Sequence, residues 1–93
     1  MKVAWSPEAI EDRLAIWDYV AADNPIAAIR LDALFGAAAQ RLSDHPKLGR
    51  PGQIVGTREL IPHESYRIVY EIDDGVLWIL AVVHTARMWP PLV

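Results

Sequence analysis

Two β-rich segments, Tyr66 to Ile72 and Val76 to Val83, stand only Asp73-Asp74-Gly75 apart, and no other feature limits the possible folds as strongly. Both are dense in β-branched and aromatic residues, which suit a pleated, half-buried surface, and an Asp-Gly turn between such runs predicts an antiparallel hairpin. With Asp73 to Gly75 taken as the loop, Ile72 faces Val76, Tyr70 meets Trp78 and Arg67 meets Ala81. Alternation then gathers Tyr66, Ile68, Tyr70, Ile72, Val76, Trp78, Leu80 and Val82 on one apolar face that needs a covering layer. The opposite face carries Arg67, Val69, Glu71, Leu77, Ile79, Ala81 and Val83, a mixture of charge and apolar area that no other predicted element covers.

The covering layer comes from the first half of the chain. Ser6-Pro7 and Asp23-Asn24-Pro25 each place a capping side chain before a proline, the signature of a helix start. The first helix runs to about Ala22, with Ile10, Leu14, Trp17 and Val20 or Ala21 as its buried stripe and Glu11, Asp12, Arg13 and Asp18 facing water. The second buries Ile26, Leu31, Leu34, Phe35, Ala38 and Leu42 and is ended by His45-Pro46. Lys2 to Trp5 reads as a short opening strand, Pro46 to Gly52 as an exposed loop and Thr57 to Ile61 as a further strand. The expected fold is a single α+β domain over residues 1–93: a short N-terminal strand, a helical hairpin, then a three-strand antiparallel meander with the helices on one face. A chain this short buries only about 60 to 65% of its unfolded surface, so its core is thin and gains from a partner.

The absence of cysteine rules out disulfides and thiolate zinc sites and fits a reducing cytoplasm. No secretory signal is read, since Glu8 arrives before any long apolar run, and Val76 to Val83 falls far short of the roughly 20 residues a membrane helix needs. A net charge of −3 is unlike a general nucleic-acid binder, but its distribution is uneven. The stretch from His45 to Tyr70 holds Lys47, Arg50, Arg58 and Arg67 against Glu59 and Glu64, whereas the first helical half is acidic. His45, His63 and His84 have no metal-ligand spacing, so neither a metal nor any other cofactor is expected.

If Pro62 to Ser65 pairs Ile61 with Tyr66, Leu60 meets Arg67 and Arg58 meets Val69, which adds Arg58 to the second face. Arg87 shares the parity of Ala81, so three arginines converge there. Forked guanidinium donors suit phosphate or carboxylate, and beside apolar residues they mark an interface. The alternative is that Arg58 and Arg67 pair with Glu71 or another carboxylate of the chain across the sheet.

Ser6-Pro7-Glu8-Ala9 after a short strand, Gly49-Arg50-Pro51-Gly52 after a helical hairpin, Gly56-Thr57-Arg58-Glu59-Leu60, Tyr66-Arg67-Ile68-Val69-Tyr70 and His84-Thr85-Ala86-Arg87 form an ordered set over essentially the whole chain. In this combination the sequence resembles the RelE/ParE superfamily, the toxins of bacterial type II toxin–antitoxin modules. The resemblance implies a small α+β toxin held in a hetero-oligomer by a co-encoded antitoxin whose C-terminal segment wraps it. RelE-like members cleave messenger RNA on the ribosome, and ParE-like members inhibit DNA gyrase.

On the RelE-like reading, Arg67 and Arg87 match the two arginines that stabilise phosphate charge, and Arg58 stands where a lysine is common. Leu60 occupies the second basic position, and the tail from Met88 to Val93 has neither Tyr nor His. His84 would then serve as acid or base, or else simply cap the strand end by hydrogen bonding to backbone. The long hairpin, the Gly-Thr-Arg-Glu-Leu strand and the acidic balance resemble ParE-like members more closely. The expectation is therefore a gyrase-directed toxin with Arg58, Leu60, Arg67, Leu77, Ile79, Arg87 and Trp89 as its target or antitoxin interface. The alternatives are a ribosome-dependent endoribonuclease and a degenerate, non-toxic antitoxin binder.

Overall fold

The structure, a computed structural model, describes residues 1–91. Strand β1 (Lys2–Trp5) leads into helices α1 (Pro7–Ala21) and α2 (Pro25–Asp44), followed by β2 (Arg50–Pro51), β3 (Thr57–His63), β4 (Tyr66–Asp73) and β5 (Val76–His84). The strands form one sheet in the order β1-β5-β4-β3-β2, antiparallel except where β1 runs parallel to β5. Both helix starts fall where the cap-then-proline pattern puts them. Ser6 Oγ accepts from the Ala9 N–H at 3.1 Å, and Asn24 Oδ1 accepts from the Ala27 N–H at 3.1 Å. The expected α+β architecture is present, with a short β2 added at the edge of β3 inside the segment read as a loop.

The hairpin register differs from the sequence reading by one residue. Asp73 faces Val76, which leaves a two-residue turn at Asp74-Gly75 with both φ angles positive, 49° and 74°. That geometry matches the twist of the flanking strands better than a three-residue loop. The slip turns Leu77 and Ile79 into the main core and Trp78 outward, because side chains alternate faces. A bulge opposite Val69/Tyr70 then absorbs one residue of β5, so Ala81 and Val83 stay on the outer face but lie opposite Val69 and Arg67.

A second irregularity separates Leu60 from His63 in β3. Pro62 lies within it and has no N–H to give to the ladder. Tyr66 therefore pairs with His63, Leu60 with Ile68 and Arg58 with Tyr70. Arg58 and Leu60 consequently share the helix-covered face, and Glu59 takes the outer one.

The main core joins Ala9, Leu31, Phe35, Ala38, Ala39 and Leu42 of the helices to Tyr66, Ile68, Tyr70, Leu77, Ile79 and Val82 of the sheet. Helix α2 keeps most of its expected stripe, although Ile26 and Leu34 are exposed. Helix α1 does not. It faces the protein with Ala9, Asp12, Arg13, Ile16 and Val20, while Ile10, Leu14 and Trp17 are exposed, Leu14 at 60%. The stripe runs through two charged residues because each finds a partner: Asp12 Oδ2 accepts from the Val82 N–H at 3.0 Å, and Arg13 Nε donates to Asp32 Oδ1 at 2.6 Å. Among the described residues no helix is long and apolar enough to cross a membrane.

Candidate functional site

The arginines expected to converge are distributed over two faces. On the outer face Arg67 Nη1 donates to Glu59 Oε1 at 2.9 Å, and the second Glu59 oxygen accepts from the Gln53 N–H at 3.0 Å. The Glu59 side chain is only 1% exposed and that of Arg67 15%, so the pair is enclosed; Arg50 stands farther off, at 3.9 Å. For Arg67 the alternative of a carboxylate of the chain across the sheet is the arrangement seen, with Glu59 rather than Glu71 as the partner, whereas Arg58 donates to backbone carbonyls instead. Next to this pair Val69, Ala81 and Val83 are buried, with Trp89 packed against them. Trp89 thus covers Val69, Ala81 and Val83, which narrows the expected open patch, while Trp78, turned to the same face, stays exposed. Arg67 Nε and Trp89 Nε1 are buried there without a hydrogen-bond partner among the described residues.

Arg58 works on the other side of the sheet. Its Nη1 donates to the Gly49 carbonyl at 2.7 Å, and the Tyr70 hydroxyl donates to the Pro46 carbonyl at 2.8 Å while accepting the Gly49 N–H at 2.9 Å. Together they pin the connection between α2 and β2 against the sheet. Burial pushes the Tyr70 hydroxyl above its ordinary pKa of 10.0, against opposing pulls from the Gly49 N–H and the Arg58 charge. Leu60 packs half-buried against the main core, and Leu77 and Ile79 lie wholly inside it. Leu77 and Ile79 are therefore closed to a partner, whereas Leu60 keeps part of its surface exposed.

Arg87 and His84 sit together at the far end of β5. They line a groove of about 400 Å³ with Asp12, Ile16, Tyr19 and Tyr66. His84 Nδ1 accepts from the Ala86 N–H at 3.0 Å, so the capping alternative for this residue has its hydrogen bond. The ring also meets Tyr66 edge-on at 5.2 Å. Arg67 and Arg87 therefore stand on opposite faces, as do Arg67 and His84, and the set matched to RNA cleavage is not brought to one point.

Sequence reasoning misses two surfaces. One is the exposed side of the helical hairpin, where Trp5, Ile10, Leu14 and Trp17 line a shallow groove of about 330 Å³ beside the Arg13–Asp32 pair. Its signal is an apolar i, i+4, i+7 spacing, which reads equally well as core or as unpartnered surface. The other is the His63, Tyr66 and His84 row across three strands, which only the correct β3 register brings together.

Comparison with known proteins accords with this architecture. The ParE toxin family of the type II toxin–antitoxin system parDE matches residues 3–89. The chain is 37% identical over 93 residues to the protein Y4kP of Sinorhizobium fredii, covering 99% of this chain and 96% of that one. It is 34% identical over 87 residues to toxin RelE2 of Caulobacter vibrioides, covering 94% and 98%. Among solved structures, a chain of the chromosomal ParDE system from P. aeruginosa superposes with a TM-score of 0.81 at 20% identity, over 90% of this chain and 95% of that one. The family match spans nearly the entire fold, both helices and all five strands, and type II modules pair such a toxin with an antitoxin. This chain belongs to the ParE toxin family of type II toxin–antitoxin systems.

Proposed function

We propose that this toxin arrests growth by ParE-like action on DNA gyrase in the cytoplasm, without cutting RNA. The observation that carries this reading is the enclosure of Arg67 by Glu59 on the face opposite Arg87 and His84. Cleavage through a 2′-hydroxyl needs a base, a charge stabiliser and an acid around one phosphate. Here the stabiliser of the RelE-like pattern is neutralised by a buried carboxylate and separated from the histidine beside Arg87. Arg67 then holds the sheet together, and Arg87 is left to make a contact. The exposed Ile10, Leu14 and Trp17 face supplies the unpartnered apolar surface expected of a chain that lives bound to an antitoxin.

The test is gyrase supercoiling with purified toxin titrated to excess, with and without the protein encoded beside it. Loss of supercoiling with cleaved DNA, relieved by the neighbour, is the expected result. Unchanged supercoiling by folded, growth-inhibiting protein would refute the reading and direct attention to ribosome-bound message.

A further inference from the structure

The helical layer carries two exposed faces that the sheet leaves unused. On α1, Ile10, Leu14 and Trp17 stand at i, i+4 and i+7 and line a groove of about 330 Å³. Glu11 and Asp18 flank Leu14, three residues before it and four after, and both are exposed. On α2, the exposed Ile26, Ile29, Ala33 and Ala37 recur at i, i+3, i+7 and i+11, with exposed Arg30 and Arg41 beside them.

The charges that frame the two faces are opposite in sign. Neither Glu11 and Asp18 nor Arg30 and Arg41 form an ion pair among the described residues, whereas the one basic side chain of α1, Arg13, is held by Asp32. The α1 face is therefore negative. The α2 face is positive along its length, its exposed acid Asp44 being the last residue of the helix.

Apolar faces of this kind mark interfaces, and the sign of the frame selects the occupant. Two α1 faces laid together would set Glu11 and Asp18 against their own kind, and two α2 faces would set arginine against arginine. An α1 face on an α2 face instead joins opposite charges around an apolar centre. The small side chains of Ala33 and Ala37 permit the close approach that helix-on-helix packing needs. The chain thus carries both halves of one interface. A two-fold axis that lays α1 of one copy on α2 of the other also makes the reciprocal contact, so a closed dimer covers all four faces.

We infer that the free toxin pairs with a second copy of itself through its helical layer, α1 of each copy on α2 of the other. The antitoxin is read as covering the same α1 face, so the dimer is a state of the antitoxin-free chain. It does not depend on the gyrase reading, since self-association is measured with no target present.

Sedimentation velocity of the purified full chain, from micromolar to near-millimolar concentration, should show a concentration-dependent monomer–dimer equilibrium. Two charge-reversed chains locate the interface: Glu11→Arg/Asp18→Arg makes both faces basic, and Arg30→Glu/Arg41→Glu makes both acidic. Their melting by circular dichroism should stay close to that of wild type, because exposed side chains without partners are replaced. Each alone should dimerise about tenfold or more weakly than wild type, because like charges then meet across the contact. An equimolar mixture should recover the dimer as a mixed species, in which both contacts again join opposite signs. A wild-type chain that stays monomeric throughout overturns the inference and leaves the α1 face to the antitoxin alone. Undiminished dimers in either variant, or no recovery in the mixture, overturn it equally by placing any interface elsewhere.

Discussion

Replacing Glu59 by Gln tests whether the outer face is held by its buried ion pair. The carboxylate is 1% exposed and serves two close partners, Arg67 Nη1 at 2.9 Å and the Gln53 N–H at 3.0 Å. Removing one member of a buried pair strands the other, at a cost of about 3 to 5 kcal/mol. Arg67 is 15% exposed and can regain some hydration, and a glutamine oxygen can still accept one bond, so about 2 to 3 kcal/mol is the better figure here. For a domain of this size each 1 kcal/mol moves the melting temperature by about 4 to 8 °C, which puts the drop near 10 to 20 °C. Arg50, at 3.9 Å and 62% exposed, adds little.

The assay is urea unfolding followed by tryptophan fluorescence, applied also to Glu59→Leu, Arg67→Leu and the Glu59→Leu/Arg67→Leu double variant, which together form a cycle. Apolar replacement of both partners removes the stranded charge, so the double variant should be clearly more stable than the sum of the single losses, by about 2 kcal/mol. Retained toxicity of this folded double variant would show that Arg67 is a strut of the sheet. A loss below about 1 kcal/mol for Glu59→Gln, or strictly additive variants, would refute the argument that the pair carries the face.

The hairpin surface makes a contrasting case: Trp17 is 37% exposed, so Trp17→Ala should cost about 1 to 2 kcal/mol and leave a folded chain, read by circular dichroism. That is well short of the roughly 3 to 5 kcal/mol of a fully buried aromatic. Ser6→Ala should cost about 2 kcal/mol in the same urea assay, since Ser6 Oγ both caps α1 and donates to the Leu80 carbonyl at 3.1 Å. Tyr70→Phe should lose about 1 to 3 kcal/mol at neutral pH, because the buried Gly49 N–H loses its acceptor. In wild type the raised Tyr70 pKa favours the neutral hydroxyl in the folded state. Its contribution is complete below pH 10.0 and is lost as pH rises through the higher folded value, so alkaline melts should converge with those of the phenylalanine variant.

Local chemistry makes the secondary structure legible from the residues alone. Ser6-Pro7, Asn24-Pro25 and His45-Pro46 mark helix boundaries because a cap and a missing N–H act within one turn. Register is harder to read, since it depends on single residues. Choosing Asp74-Gly75 over Asp73 to Gly75 as the turn reassigns Leu77 and Ile79 from interface to core, and the Pro62 irregularity moves Arg58 and Leu60 across the sheet. The α1 face departs from its pattern for another reason. A polar residue can line a buried stripe when a partner from a distant segment satisfies it, and the partners of Asp12 and Arg13 are 70 and 19 residues away.

These long-range partners explain why the far end of β5 differs from the rest of the sheet. Strand β1 pairs with Val76 to Ile79 and then ends at Trp5. Beyond that point the edge of β5 is satisfied by the start of α1: the Ser6 N–H donates to the Ile79 carbonyl at 2.9 Å, Ser6 Oγ to the Leu80 carbonyl, and Asp12 accepts from Val82. The start of α1 thus takes the place of further β1 pairing along this edge, and the bulge at the same level adds local twist. The groove lined by His84 and Arg87 lies at the end of β5, past the last residue that β1 pairs. The acidic residue whose spacing reads as solvent-facing charge thus lines that groove together with Arg87. The fold and the groove thus rest on the same hydrogen bonds, and removing the Asp12 carboxylate should loosen both together.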